Sequence, residues 1–293
     1  MRMAWTALLC IGGSLLMSAV LLPGSMAIAP YIGAVDVPRD QRRMHTHPIP
    51  RCGGMALFVA VWSVVALIGV RDAQTLPLLI ATAILMLLGL FDDVFGIAAL
   101  PKLAVQLIAC AFALHGWIDV SLYVPALLWL TAVTNAHNMI DGCDGVCASV
   151  VAAQSVGAAV ILWYLGDRAA ALLALACLGC CLGYLPYNVH PARVFMGDEG
   201  ALFLGLLAGW LSLRVYAVSG PLLAASLLCA LPTGDLVFAV TRRLLHGQNP
   251  LRADRAHLHH RLRDRGLTQR MICLIMMGIS LLAAMVAVRL SLY

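Results

Sequence analysis

The chain has 293 residues, of which 62% are hydrophobic and 11% are charged, whereas about 25% are charged in an ordinary soluble domain. A soluble fold of this length cannot bury so much apolar surface and cover itself with so little charge. This excludes a soluble enzyme, a disordered chain and a nucleic-acid-binding module. The net charge of +5 comes almost entirely from arginine, because Lys102 is the only lysine. The apolar runs are continuous and not alternating, so we predict an all-α polytopic membrane protein.

A helix needs about 20 apolar residues to cross a bilayer, so the apolar content supplies roughly nine or ten spans. Polar breaks divide the sequence into ten predicted helices, at about 3–29, 53–70, 76–91, 100–116, 121–138, 146–166, 169–187, 200–218, 221–241 and 270–291. The first is longer than the apolar core of a usual signal peptide, so we interpret it as a span, with cleavage as the alternative. Residues 1–293 are treated as a single integral membrane domain.

Ten spans place the loops alternately on two sides of the membrane, with both termini on the same side. One side collects the loops at about 30–52, 92–102, 135–145, 188–199 and 242–270. This side carries 14 of the 19 Lys and Arg residues, which predicts that it is cytoplasmic. It also carries eight of the nine histidines and 11 of the 14 acidic residues, counting Asp235 near the inner end of the ninth span. The positive-inside rule does not require acids or histidines to cluster on one side. We therefore predict a polar site at the cytoplasmic face and extracytoplasmic termini.

Acidic and amide side chains lie at the ends of two of the predicted spans. Asp92 and Asp93 end the third span, where a metal or phosphate site explains two carboxylates better than a solvated helix end does. The second group recurs every three residues: Asn135, Asn138, Asp141 and Asp144. On a helix these would form one polar stripe, although Gly142 and Gly145 predict that the helix opens there. Such a stripe suits Mg²⁺ or the ribose and base of a nucleotide.

A third group begins the eighth span. Asp198 lies between Gly197 and Gly200, and helix N-termini favour phosphate, so Asp198 is a candidate ligand for a phosphate-bridging Mg²⁺; the alternative is a helix cap. Asn188 lies just upstream. Asp235, after Pro232, is either a polar contact at a bend or a site residue, and the sequence leaves both open.

A fourth group combines Arg255, His257, His259 and His260. Arginines beside the histidines would repel a cation, so we predict anion binding at a diphosphate or lipid phosphate. A zinc site and a generic lipid-binding patch are the alternatives. The basic loop with Arg43 and His45 is interpreted as topogenic, or as part of the site, and it ends in a Gly53–Gly54 pair predicted to be flexible.

Small residues inside the spans are interpreted as packing features. The Gly179-x-x-x-Gly183 and Gly205-x-x-x-Gly209 pairs are typical of close helix contacts. The ten cysteines indicate no disulfide framework, and packing is favoured over a metal site for the group Cys177, Cys180 and Cys181.

Taken in order, these stretches closely resemble the polyprenyl-phosphate N-acetylhexosamine-1-phosphate transferase family. The matching stretches are Asp36-x-Pro38 with Arg42-Arg43-x-His45 and Pro50-Arg-Cys-Gly53-Gly54, Asp92-Asp93 with Lys102-Leu-x-x-Gln106, Asn135-x-x-Asn138-x-x-Asp141-Gly-x-Asp144-Gly, Asn188 with Phe195-Met-Gly-Asp198, and Leu231-Pro-x-x-Asp235 with Asp254-Arg-x-His257-Leu-His259-His260. The histidine stretch is similar to the bacterial undecaprenyl-phosphate branch that primes O-antigen, enterobacterial common antigen or teichoic acid synthesis, and less similar to the peptidoglycan branch. Two positions depart from the family pattern, because Glu199 and Ala201 stand where a small residue and a serine are usual.

The resemblance implies transfer of a sugar-1-phosphate, N-acetylglucosamine-1-phosphate first, from a UDP-sugar to polyprenyl phosphate with release of UMP, in the cell membrane. It implies Mg²⁺, or Mn²⁺, held by Asp198 with Asn138 as second ligand. Asp92 or Asp93 would orient or deprotonate the lipid phosphate. The implied contacts to nucleotide, sugar and phosphates are Arg43, His45, Lys102, Asn135, Asp141, Asp144, Asn188, Arg255, His257, His259 and His260.

Several alternatives stay open at this point. The sugar could be of the fucosamine, quinovosamine or galactosamine type, or the substrate could be the peptidoglycan precursor. A polytopic transporter is the distant alternative, but it should place its polar groups near the midplane. A homodimer is compatible with the sequence, and no nucleic-acid partner is expected.

Overall fold

The computed structural model describes residues 2–38, 47–70, 72–249 and 257–293. Within these ranges the chain forms helices and one short hairpin. The helices are α1 (Arg2–Ile32), α2 (Gly53–Ile68), α3 (Thr75–Phe95), α4 (Ala99–Ala113), α5 (Val120–Ile140), α6 (Val146–Tyr164), α7 (Arg168–Asn188), α8 (Gly197–Ser219), α9 (Leu222–Leu228), α10 (Ala230–Leu245), α11 (Leu258–Asp264) and α12 (Gln269–Leu292). The hairpin pairs β1 (Val35–Asp36) with β2 (Ile49–Pro50) in antiparallel register.

Nine of the ten predicted spans each coincide with one helix, and the all-α membrane fold is confirmed. Six helices of the described chain are long and apolar enough to cross a bilayer: α1, α3, α6, α7, α8 and α12. Helices α2 and α4 are apolar but shorter, with 16 and 15 residues. Helix α5 has 21 residues, but its last two turns carry polar side chains. The total of ten crossings stays a prediction.

The ninth predicted span is not one straight helix. Helices α9 and α10 meet at an angle of 84° around Cys229, and together they form a seventh candidate span or a re-entrant segment. Pro232 has no N–H to donate to the carbonyl of Leu228 four residues earlier, which weakens the helix at this point. The bend directs α10 toward α5 and α12, and α10 carries Asp235.

Helix α8 forms the centre of the bundle and packs against α2, α3, α5 and α6. Most of its residues are buried, including the whole stretch from Glu199 to Leu213. Gly205 and Gly209 face α5, where an added Cβ would lie 3.0 Å from Cβ of His137 and 3.1 Å from Cδ2 of Leu130. The prediction that this glycine pair mediates packing is therefore confirmed.

The second glycine pair and the cysteine group lie on α7. An added Cβ on Gly179 or Gly183 would clash with the backbone of α1, which confirms their packing role. The Sγ atoms of Cys177, Cys180 and Cys181 lie within 4.8 Å of one another, and all three residues are buried. Cys180 Sγ donates to the carbonyl of Cys177 at 3.1 Å, as a packed helical thiol does. All ten cysteines are free thiols, and the sequence likewise indicated no disulfide framework.

The charged residues gather at the two ends of the bundle. At one end, Arg214 of α8 pairs with Asp167 at 2.7 Å and with Asp72 at 3.1 Å, so one guanidinium joins two loops to the central helix. At the other end lie Asp92 and Asp198, the first near the C-terminus of α3 and the second at the start of α8. The assignment of the loops to two sides of the membrane stays a prediction.

Candidate functional site

The start of α2 is joined to the start of α8 by backbone hydrogen bonds. Gly53 N donates to the carbonyl of Phe195 at 3.0 Å, and Gly54 N donates to that of Met196 at 3.0 Å. Phe195 N donates in turn to the carbonyl of Pro50 at 2.8 Å. An added Cβ on Gly54 would lie 2.7 Å from Cγ of Glu199. The prediction of a flexible glycine pair is wrong, because both glycines lie in α2 and their lack of a side chain permits close packing.

Three carboxylates converge where α3 and α8 meet. Asp92 Oδ2 lies 2.7 Å from Lys102 Nζ, and the same ammonium pairs with Asp198 Oδ2. Asp93 Oδ1 lies 2.6 Å from Arg51 Nη2, and its Oδ2 accepts the backbone N–H of Asp198 at 2.8 Å. Neighbouring helical residues point about 100° apart. Asp92 and Asp93 therefore reach different cations, but both are linked to Asp198.

A second cation and a fourth carboxyl group lie next to Asp198 in this acidic cluster. Arg51 Nη2 also approaches Asp198 Oδ1, at 3.9 Å. Asp141, in the loop after α5, is close enough that the charge of Asp198, together with desolvation, raises the pKa of Asp141 well above its ordinary value. Three carboxyl groups are thus paired with Lys102 and Arg51, and that of Asp141 lies close to them. Carboxyl oxygens are hard donors of the kind that Mg²⁺ prefers, so these residues fit such an ion.

The period-three group does not form one helical stripe. Helix α5 ends at Ile140, so Asp141 and Asp144 lie in the loop, as Gly142 and Gly145 predicted. Asn135 Nδ2 donates to Gln106 Oε1 at 2.7 Å and to the carbonyl of Thr131 at 2.8 Å, within the bundle. Asn138 is half-buried, and its side chain makes no hydrogen bond to any described residue. Of the two amides, Asn138 is the one available to a ligand.

Two further predicted residues hold loops together. Asn188 Oδ1 accepts the N–H of Gly145 at 2.8 Å, and its Nδ2 donates to the carbonyl of Val194 at 2.9 Å. Asp144 Oδ2 lies 2.7 Å from His190 Nδ1 and accepts the N–H of Ala192 at 3.2 Å. Both residues position the loops beside the acidic cluster, and their direct contact with a substrate stays a prediction.

The histidine segment is anchored by the bent helix. Asp235 Oδ2 lies 2.8 Å from His257 Nδ1, and Asp235 Oδ1 accepts the N–H of Leu258 at 2.8 Å. The rings of His257 and His259 stack with centroids 6.0 Å apart, and His260 lies 4.1 Å from His259. Asp235 thus makes a polar contact from the bent helix to a predicted site histidine, and its own role in the site stays a prediction.

His259 is buried within this segment and is 3% exposed. Neither ring nitrogen of His259 has a hydrogen-bond partner among the described residues. Burial, followed by the positive charges of His260 and His257, lowers the pKa of His259 to about 3. His259 is therefore neutral at neutral pH, and the segment carries less positive charge than three protonated histidines would supply.

Acidification is expected to destabilise the protein through His259. The folded side chain resists protonation until about pH 3, whereas an unfolded histidine binds a proton below about pH 6.5. The contribution of His259 to the free energy of unfolding is therefore complete above pH 6.5. It falls by up to about 1.36 kcal/mol per pH unit as the pH decreases from about 6.5 toward 3. Thermal unfolding of the detergent-solubilised protein between pH 7 and 4 should show a smaller loss in His259→Gln. Identical pH profiles for the two proteins would contradict this assignment.

A cavity of about 740 Å³ opens beside the acidic cluster. The predicted residues that line it are Asp141, Asp144, Asn188 and His260. Arg51, Arg263 and Gln269 also line it and were not among the predicted site residues. Arg51 could have been found from the Pro-Arg-Cys-Gly-Gly stretch, whereas nothing in the sequence marks Gln269, whose Oε1 accepts the N–H of Asp144 at 3.2 Å. The predicted residues Arg43, His45 and Arg255 lie outside the described ranges.

Comparison with known proteins places this chain among glycosyl and sugar-phosphate transferases. A model described as glycosyl transferase family 4 matches residues 75–216. The chain is 32% identical to the probable undecaprenyl-phosphate N-acetylglucosaminyl 1-phosphate transferase of Bacillus subtilis, over 89% of this chain and 78% of that protein. It is 30% identical to the decaprenyl-phosphate N-acetylglucosaminephosphotransferase of Mycolicibacterium smegmatis, over 87% and 75% of the two chains. It is 27% identical to the undecaprenyl-phosphate alpha-N-acetylglucosaminyl 1-phosphate transferase of Escherichia coli, over 88% and 77%.

Proposed function

Because this chain belongs to glycosyl transferase family 4, we propose that it transfers N-acetylglucosamine-1-phosphate from UDP-N-acetylglucosamine to a polyprenyl phosphate, undecaprenyl phosphate in particular, and releases UMP. The observation that supports this most directly is the convergence of Asp92, Asp93 and Asp198 on Lys102 and Arg51, of which Arg51 also lines the cavity. The names of the relatives point to the same donor and acceptor classes. The product would start the synthesis of a cell-surface polysaccharide.

The proposed setting is the cell membrane, with ten crossings, the site at the cytoplasmic face and both termini outside. Two observations support this orientation. The loops at the end with the acidic cluster carry most of the arginines, as cytoplasmic loops do. At the opposite end, Arg214 is paired with two carboxylates, those of Asp72 and Asp167. A nucleotide sugar made in the cytoplasm would meet the site directly in this orientation.

In the proposed reaction, an oxygen of the polyprenyl phosphate attacks the sugar-bearing phosphorus of the donor. The bond from that phosphorus to the bridging oxygen breaks, and UMP leaves with the electron pair. Such a transfer requires in-line positioning and neutralisation of oxygen charge, with little covalent work by the protein. Lys102 and Arg51 supply positive charge, and Asp92 and Asp93 hold these cations in place.

General base catalysis is helpful but not obligatory in this proposal. A phosphate monoester has a second pKa of about 6, so the acceptor is largely ionised at neutral pH. Asp92 can therefore serve mainly to orient the acceptor through Lys102. His260 and Arg263 line the same cavity and are placed to contact the remaining phosphate oxygens.

We propose that Asp198 is the main ligand of a Mg²⁺ ion, with Asn138 as the second ligand. Two observations support this set of donors: Asp198 is surrounded by carboxyl oxygens, and the amide of Asn138 makes no hydrogen bond to another described residue. When bound, the ion would neutralise phosphate charge and polarise the phosphoryl group. Mn²⁺ prefers similar oxygen donors and is the alternative.

The test of the proposed function is a UMP-release assay on the purified protein. Undecaprenyl phosphate would be combined in turn with UDP-N-acetylglucosamine, with UDP-sugars of the galactosamine, fucosamine and quinovosamine types, and with the peptidoglycan precursor UDP-N-acetylmuramoyl-pentapeptide. We expect the highest kcat/KM with UDP-N-acetylglucosamine. Absence of UMP release from every donor would overturn the proposal, and preference for another donor would change the sugar assignment.

Lys102 offers a separate test because its ammonium bridges Asp92 and Asp198. We expect Lys102→Met to lower kcat/KM by roughly 100-fold, since it removes a charge-assisted contact aimed at a phosphate oxygen. Lys102→Arg should recover only part of this loss, because a planar guanidinium does not reproduce the point contact of an ammonium. A Met variant with activity within about threefold of the parent would contradict the assignment.

A further inference from the structure

Glu199 directly follows the proposed metal ligand and is fully buried. Its Oε1 accepts the backbone N–H of Met55 at 3.0 Å. Helix α2 begins at Gly53, and its N-cap residue, Cys52, provides no side-chain cap. The first N–H groups of a helix need partners from outside that helix. For α2 these partners come from the start of α8, since Glu199 accepts from Met55 and two backbone carbonyls accept from the preceding glycines.

Fold stability alone does not explain why a carboxyl group is buried at position 199. Its Oε2 has no hydrogen-bond partner among the described residues, and a buried, half-satisfied carboxylate is costly. The surrounding backbone leaves it little room, because added Cβ atoms on Gly54 and Gly89 would both clash with residue 199. Local costs of this kind are typical of residues retained for a functional geometry.

The residue that this contact fixes is Arg51. Arg51 lies two positions before α2, and its backbone forms a bridge with Phe195. Its guanidinium lies 2.6 Å from Asp93 and 3.9 Å from Asp198, at the wall of the cavity. A shift of the first turn of α2 away from α8 would move this guanidinium relative to both carboxylates.

We propose that Glu199 is a positioning residue that replaces the missing N-cap of α2 and thereby holds the Arg51 guanidinium against Asp93 and Asp198. This inference rests on the proposed phosphotransfer. The required property is the hydrogen-bond acceptor and not the negative charge, because the partner of Oε1 is a backbone N–H. Glutamine preserves that acceptor, and alanine removes it.

Steady-state UMP release by the full-length protein tests this role. We expect Glu199→Ala to lower kcat/KM by roughly tenfold, the value of one hydrogen bond, and Glu199→Gln to keep most of the parent activity. Arg51→Gln should be impaired, and adding Glu199→Ala to it should cause little further loss, because both changes disturb one unit. Ser212→Ala is the matched control on α8, where a buried hydroxyl donates to the carbonyl of Gly209 remote from the site.

Hydrogen–deuterium exchange of the peptide covering residues 53–57 provides a readout that does not depend on activity. Exchange should be faster in Glu199→Ala than in the parent, Glu199→Gln and Ser212→Ala. The inference is overturned if Glu199→Ala retains parent activity, if it lowers the activity of Arg51→Gln by the same factor as that of the parent, or if glutamine fails to rescue. If the parent itself releases no UMP, the proposed function fails, and unchanged exchange in Glu199→Ala would separately overturn the capping contact.

Discussion

Replacing Asp198 with alanine is expected to reduce UMP release by at least about a thousandfold, a loss typical of a central group in an electrostatically driven reaction. The Asp198 carboxylate pairs with Lys102, approaches Arg51 and is the proposed metal ligand. Its removal leaves the site with one fewer oxygen ligand and frees Lys102 to pair with Asp92 alone. The measurement is the UMP-release rate of the purified variant at saturating UDP-N-acetylglucosamine and undecaprenyl phosphate.

Folding must be separated from chemistry in this experiment. Asp198→Asn keeps the shape of the side chain, and its backbone N–H can still donate to Asp93. Asp119→Ala is the control for loss of an exposed carboxylate, since Asp119 only caps the start of α5 at the end of that helix remote from the site. We expect both Asp198 variants to be inactive with parent-like thermal unfolding, and the Asp119 control to be active. Near-parent turnover in Asp198→Asn and Asp198→Ala would exclude Asp198 from the site.

The positions of the helices could be predicted because long apolar runs between polar breaks leave a chain in lipid few other structures. The direction of the bend between α9 and α10 could not be predicted. Pro232 removes one hydrogen bond, but packing against α5 and α12 determines where α10 points. Sequence position alone therefore did not show that Asp235 reaches His257.

The site residues that could be predicted from the sequence are the charged ones. Asp92, Asp93, Lys102 and Asp198 are ionisable groups at the ends of apolar helices, where only mutual pairing or a ligand offsets their cost. The amide residues could not be separated into site and structural residues in this way. Asn135 and Asn188 form hydrogen bonds with the backbone or neighbouring side chains as readily as they would with a substrate. The contact of Glu199 with Met55 spans 144 residues of sequence, and no local pattern encodes it.

Removal of divalent cations is expected to abolish UMP release, again by at least about a thousandfold, and added Mg²⁺ should restore it. Among the described residues, Lys102 and Arg51 are the cations paired with the carboxyl groups of Asp92, Asp93 and Asp198, and the carboxyl group of Asp141 lies close by. Both substrates bring further negative charge, and like charges this close repel strongly in a partly dehydrated site. Lys102 and Arg51 alone cannot balance that charge, so the proposed chemistry needs an additional cation.

Excess EDTA followed by graded Mg²⁺ or Mn²⁺ tests this requirement in the UMP-release assay. A binding readout independent of turnover is the rise in unfolding temperature on adding Mg²⁺ to the chelated protein, because a ligand that binds only the folded state stabilises it by mass action. That rise should be lost in Asp198→Asn and kept in Asp119→Ala. Full turnover in excess chelator would show that Lys102 and Arg51 suffice, and would remove the metal from the proposal while leaving the transferase assignment intact.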